Sequence, residues 1–169
     1  GWQAAADAIR TPDTFPQGAA AQVDGTESAV VGIAKGSGMI APDMATMLAF
    51  IFTDLAVSAP ALQHAVSSAV GASFNAITVD SDTSTSDTVL AFATGVCDQS
   101  PITEMSVPAA GHFADALAAV MVDLAHQIVR DGEGATKFVE VVVNGAADDA
   151  AARTIASSIA NSPLVKTAL

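Results

Sequence analysis

Several residue types are scarce in this chain, and each shortage narrows what it can be. Tyrosine is absent, tryptophan occurs once, and aromatics make up only 5% of the 169 residues. Since 51% of the residues are hydrophobic, the core must come from small aliphatic side chains, alanine and valine above all, packed closely. Cations are as scarce as aromatics: six Lys and Arg against eighteen Asp and Glu leave a net charge of −12. No basic stripe exists to neutralise phosphates, which argues against a nucleic-acid partner, and an anionic membrane surface would repel the chain. The single cysteine, Cys97, excludes an intrachain disulfide and a multi-cysteine metal site. In LAFATGVCDQ it reads as an inert, half-buried thiol, a usage consistent with a reducing compartment. No apolar run approaches the ~18 residues of a transmembrane helix. The opening residues, GWQAAADAIRT, form neither a signal nor a transit peptide. They read as a helix already under way, with the expectation that the chain begins inside a larger protein.

The length suits one domain. GWQAAADAIR is helical, and Thr11-Pro12-Asp13 ends it, because proline disfavours helix at the residue before it. Residues 12–28, with Pro12, Pro16, Gly18 and Gly25, read as loop. ESAVVGIAK and TMLAFIFT read as strands around a glycine-and-proline turn, the second so continuously apolar that burial on both faces is expected. Ser58 and Pro60 open a helix with one face of Leu62, Ala65, Val66, Ala69 and Val70. AITVD and DTVLAFATG predict strands on either side of an Asp/Ser/Thr loop, and 99–110 predicts a surface connection. Phe113, Leu117, Val120, Met121, Leu124 and Ile128 form the clearest helical stripe. TKFVEVVVNG predicts a strand, and Asp148 predicts the cap of a last helix whose Ile155 and Ile159 face the core. No repeat or linker divides the chain. The class is therefore α/β (α+β), with helices packed over the faces of sheets.

Several chemical motifs fail on inspection. KGSGM lacks the outer glycines of a nucleophile elbow, and no phosphate-binding loop is present. His64, His112 and His126 are too far apart for a helical pair of ligands, no His-Glu-x-x-His occurs, and each reads as a helix-surface or boundary residue. No metal or cofactor is expected. Asp80, Asp82 and Ser84 imitate the start of a calcium loop, yet Thr85 replaces its glycine and Ala91 its glutamate. The strand followed by Asp80-x-Asp82 also resembles the nucleophile strand of haloacid-dehalogenase phosphatases, in which Asp80 would attack phosphate. No later acidic pair on a strand holds magnesium for it, and short polar side chains stitching a tight loop explain the stretch as well.

One hydroxyl stands out. In MIAPDMATMLAFIFTD, Thr46 sits at the start of an apolar strand, where a buried hydroxyl costs free energy unless it finds a partner. A strand threonine bonded to a nearby carbonyl is one reading, and a nucleophile is the other.

Three stretches taken together, KGSGMIAPDMATMLAFIFTD, TVDSDTSTSDTV and RDGEGATKFVEV, with TPDTFP before them and NSPLVKTA after, resemble the ornithine acetyltransferase (glutamate N-acetyltransferase) family of arginine biosynthesis. The resemblance runs through almost the whole chain. It implies a layered sandwich of sheets and helices, related to N-terminal-nucleophile aminopeptidases, with Thr46 opening a central strand. It implies that the precursor cuts itself between Ala45 and Thr46, so that the freed threonine takes the acetyl group of N-acetylornithine and passes it to glutamate. Acetyl-CoA as a second donor stays open. The freed α-amine can serve as base, so no histidine is needed. By position, Lys35 corresponds to a lysine that binds the substrate carboxylate, Thr11 to a threonine that contacts substrate, and Glu133 to a glutamate suited to the amino group of ornithine. Where the family often has Thr-Thr and a lysine, this chain has Thr11-Pro12 and Gln17, and Ser86 stands where asparagine is usual. Family members also carry an upstream Thr-Gly oxyanion hole and a C-terminal substrate-binding region outside residues 1–169. An oxyanion donor is worth roughly 2.7–4 kcal/mol, so this central segment alone is expected to be catalytically deficient. Paired two-chain protomers in a homo-oligomer, located in the cytoplasm, complete what the resemblance implies. An aminopeptidase of the same fold and a phosphatase built on Asp80 are the alternatives.

Overall fold

The helical stripe read from 113 to 128 is the spine of the molecule. In the computed structural model, which describes residues 1–40, 47–82 and 86–169, helix α3 spans Pro108–Arg130. Its Phe113, Leu117, Val120, Met121, Leu124 and Ile128 are all buried. Earlier in the chain come α1 (Trp2–Ile9), β1 (Gln17–Gln22), β2 (Ala29–Lys35), β3 (Leu48–Thr53), α2 (Ala59–Val70) and β4 (Thr88–Ala93); α4 (Asp149–Ala160) and α5 (Pro163–Ala168) follow α3. The strands form one sheet in the order β1-β2-β3-β4, with β1-β2 and β2-β3 antiparallel and β3-β4 parallel. A parallel pair needs a crossover, and α2 supplies it. Ser58 caps α2 by accepting from Ala61 N–H at 3.4 Å, and Asp148 caps α4 by accepting from Ala151 N–H at 2.7 Å, as expected. The α/β architecture expected from the sequence is therefore present.

Small residues decide how closely α3 approaches the sheet. A β-carbon at Gly32, in the middle of β2, would lie 2.7 Å from Leu124 Cδ1 and 2.9 Å from Val120 Cγ1. Glycine there is required by contact, not by backbone conformation. Gly32→Val should cost about 1–3 kcal/mol through overpacking, read as a lower denaturant midpoint at unchanged slope.

Other expectations need correction. Residues 12–28 hold β1, which has the weak strand sequence QGAAAQ; β2 pairs along its whole length. The Gln127 side chain grips its outer edge, accepting from Gly18 N–H and donating to Gly18 C=O, both at 3.0 Å. Strand β3 is buried on one face only: Ala49, Ile51 and Thr53 lie against the α3 side, whereas Phe50 and Phe52 are half-buried. On that second face Phe52 stacks on Phe92 and meets Trp2 of α1, each at 5.0 Å between centroids. The expected strands at 76–80 and 136–145 are absent. Phe74–Ala76 is a single 3-10 turn, and Val79 makes one strand-like bond, N–H to Ile40 C=O at 2.6 Å. Residues 136–144 run without a ladder partner among the described residues, and Phe138 is held instead by Arg130 over its ring and His126 at its edge. An apolar run becomes a strand only when another strand is there to pair with it. Ile155 and Ile159 of α4, expected to face the core, are exposed.

Candidate active site

The residues 35–40 that connect β2 to the next segment are the hub of the polar groups. Lys35 closes β2 on the face opposite α3, paired in register with Leu48. Lys35 is buried, 8% exposed, and among the described residues its ammonium donates only to Thr11 Oγ1, at 3.4 Å. Among the described residues no carboxylate lies within ion-pair distance of it. A buried charge without a close counterion is costly, and a ligand carboxylate would relieve that cost.

Thr11 is placed by its own loop. Thr11 N–H donates to Asp13 Oδ2 at 2.8 Å, and Asp13 Oδ1 accepts from Gly36 N–H at 2.5 Å, so one carboxylate ties the end of α1 to the residue after Lys35. Behind it, the fully buried Gln17 donates through Nε2 to Asp13 Oδ1 (3.3 Å), Asp131 Oδ2 (3.2 Å) and Gly36 C=O (3.3 Å). Asp131, at the C-terminus of α3, accepts from Thr14 N–H at 3.0 Å and from the Thr14 hydroxyl. Two buried carboxylates thus share one neutral amide.

Glu133 follows immediately. Its N–H donates to Ser37 C=O at 2.7 Å, and its Oε2 would lie 3.4 Å from a β-carbon on Gly38, with Asp80 Oδ2 at 3.8 Å. Glycine at 38 therefore lets two carboxylates approach the backbone. Glu133 also lines an open cavity of about 650 Å³ between α3, residues 72–79, α4, α5 and the strap 135–141, to which Lys137, Arg153 and Lys166 contribute. Burial pushes the Lys166 ammonium below the usual lysine range, opposed by the charge of Asp80.

Ala45 and Thr46 lie outside the described residues, as do Ser84 and Thr85 of the failed calcium motif. Strand β3, interior to the sheet, starts at Leu48, two residues after Thr46. Thr11 and Lys35 are brought together, and Glu133 docks on the same short connection. Asp80 is engaged by backbone: it accepts from Met39 N–H (2.5 Å), Ile40 N–H (2.9 Å) and Asp82 N–H (3.1 Å). Lone pairs committed in this way make it a poor phosphatase nucleophile. Asp87 accepts from Met47 N–H at 2.8 Å; burial raises its carboxyl above the ordinary aspartate range, and the Met47 bond and the Lys35 charge oppose that rise. The histidines sit on helices, His64 and His112 exposed and His126 half-buried. Sequence reasoning missed Asp13, Gln17, Asp87 and Asp131. No local signal singles them out: Asp87 lies among the Asp, Ser and Thr of its own loop, and Asp131 meets Thr14 and Gln17 only across the fold.

Fold and site define a class: a mixed α/β chain whose charged groups gather at the mouth of an interior strand. The chain belongs to the ArgJ family, whose model matches residues 2–169. It is 58% identical over 173 residues to the arginine biosynthesis bifunctional protein ArgJ of Nitrobacter winogradskyi, covering 99% of this chain and 42% of that protein. It is 59% identical to the ArgJ of Ruegeria pomeroyi, covering 98% of this chain and 40% of that one. The crystal structure of the arginine biosynthesis bifunctional protein ArgJ from Bacillus halodurans superposes with a TM-score of 0.66 at 45% identity, covering 69% of this chain and 55% of that one. The chain thus spans well under half the length of those curated relatives.

Proposed function

We propose that residues 1–169 are the central segment of a glutamate N-acetyltransferase of arginine biosynthesis, spanning its self-cleavage site. The relatives' names place them in arginine biosynthesis, and the observation that carries the reading is Lys35, a buried ammonium left without a carboxylate at ion-pair distance among the described residues. Cleavage between Ala45 and Thr46 frees an α-amine and a hydroxyl on one residue. The hydroxyl attacks the acetyl carbonyl of N-acetylornithine, its proton moving by way of the amine to the departing ornithine nitrogen. The C–N bond breaks and a threonine acetyl ester forms. Glutamate's amine then attacks the ester, and the hydroxyl recovers its proton. Lys35 takes the α-carboxylate of the donor, Thr11 contacts the substrate beside it, and Glu133 faces the ornithine amino group. In this reading the working enzyme is a cytoplasmic homo-oligomer of two-chain protomers. Among the described residues no helix is long and apolar enough to cross a membrane.

Mass spectrometry of the purified full-length protein tests the reading: a fragment beginning at Thr46 is expected, and an uncut chain overturns it. Lys35→Ala in the processed enzyme should raise KM for N-acetylornithine about tenfold or more, since a hydrogen bond to a charged group is worth roughly 1.5–3 kcal/mol. Initial rates against donor concentration measure it, with kcat expected to change less.

A further inference from the structure

We propose that Asp80 and Asp87 are positioning residues that clamp the backbone on both sides of residues 41–46, Asp80 through the N–H groups of Met39 and Ile40 and Asp87 through that of Met47. The inference rests on the proposed function and assigns a role to two residues that the chemistry above does not use.

Two aspartates accept from backbone on either side of residues 41–46. Ile40 and Met47 are seven positions apart, and so are Asp80 and Asp87. Asp80 Oδ1 accepts from Ile40 N–H at 2.9 Å, and Asp87 Oδ1 accepts from Met47 N–H at 2.8 Å. A second tie doubles the upstream anchor, because Asp80 Oδ2 takes Met39 N–H at 2.5 Å and Ile40 C=O accepts from Val79 N–H at 2.6 Å. The Asp82 N–H closes a turn back onto the same carboxylate, so Asp80 is itself held. Downstream, Thr88 N–H donates to Met47 C=O at 3.0 Å, which seats Met47 beside β4 from its other side.

Two further observations separate a clamp from ordinary loop bonding. Met39 has φ 52° and Ser81 φ 70°, so both partners of the upstream anchor involve a left-handed residue that is not glycine. Such conformations cost about 1–3 kcal/mol each and persist where the surroundings over-determine them. Asp87 is partly desolvated and, among the described residues, accepts one hydrogen bond, from the N–H of Met47. A carboxylate accepting from N–H makes a short, charge-assisted bond roughly twice as strong as a neutral one. The payoff of that strength is position: an attacking hydroxyl must lie about 3–3.5 Å from its target, and a displacement of about 1 Å can cost a hundredfold in rate.

The test uses the full-length chain made by cell-free translation, with self-cleavage followed on denaturing gels and acetyl transfer measured on the cleaved product. Asp87→Ala should slow cleavage by about 10–100-fold and lower kcat of the cleaved enzyme similarly, with KM within about threefold. Asp87→Asn keeps an acceptor oxygen for Met47 N–H and should recover both rates to within about fivefold of wild type. Asp80→Ala should slow cleavage about tenfold or more, with partial recovery in Asp80→Asn. If Asp87→Ala does not fold, Asp87→Ser, polar but too short to reach Met47, takes its place and should behave as alanine does. Alanine variants that cleave and turn over within twofold of wild type overturn the clamp. So does an Asp87→Asn variant no better than alanine with a raised KM, which would assign Asp87 to Lys35 and the substrate. A merely structural role would lower the melting temperature with no kcat–KM split and no asparagine recovery, and it overturns the clamp too. A wild-type chain that stays whole overturns the proposed function first, and is told apart because no variant is then needed to stop cleavage.

Discussion

Thr46→Ala is expected to leave the full-length chain in one piece on a denaturing gel and to lower acetyl transfer by at least about four orders of magnitude. Both losses follow from one atom, since in the proposed mechanism the hydroxyl is the nucleophile of the cleavage and of the acyl transfer. Thr46→Ser restores a hydroxyl and should therefore cleave and transfer, more slowly. In the proposed mechanism the base is the freed α-amine of the processed enzyme, a group with an ordinary pKa of about 7.7–8.0. Only its deprotonated form can take the hydroxyl proton, so kcat/KM should rise with pH through that range and level off above it. A pH–rate profile measures the rise. A flat profile from pH 6 to 9 would mean that another group is the base.

Asp131→Ala has the largest expected effect on stability, about 3 kcal/mol, read from denaturant unfolding. Asp131 is buried, 4% exposed, and its carboxylate receives the Thr14 N–H, the Thr14 hydroxyl and the Gln17 amide. Alanine leaves those donors unpaired in a place water does not easily reach, and each orphaned donor costs about 1–3 kcal/mol. Asp131→Asn keeps an acceptor and should lose less than half as much. The consequence extends to the site, because the Thr14 bond docks the loop carrying Thr11 on the end of α3, two residues before Glu133. A rise in KM should accompany the loss of stability. A variant as stable as wild type would show that the Asp13–Gln17–Asp131 network is not holding the loop.

Legibility varied with the kind of interaction. The stripe of α3 was readable because one period of 3.6 residues and one buried face are properties of a single segment. Ser58 and Asp148 were readable because a cap acts within three residues of itself. Strand β1 was not, since QGAAAQ has little intrinsic strand preference and is extended because β2 and Gln127 occupy its two edges. TKFVEVVVNG failed in the opposite direction: its residues favour a strand, and no described neighbour offers a ladder. Among site residues, Lys35, Thr11 and Glu133 came from family wording. Asp13, Gln17, Asp87 and Asp131 act across separations of up to 117 residues, which no local pattern encodes.

The amino-acid sequence by itself determined the α/β class, the α3 core face, two helix caps and membership of a recognisable family, because periodicity, capping and motif wording are local. Only the tertiary structure decided that Lys35 is buried beside Thr11 with no carboxylate at ion-pair distance among the described residues, that Gly32 must be small, and that two aspartates accept from the backbone flanking residues 41–46. Those facts depend on which distant segments meet. Hydrogen bonds and close contacts are formed in space, whereas the chain order specifies only who is available to form them.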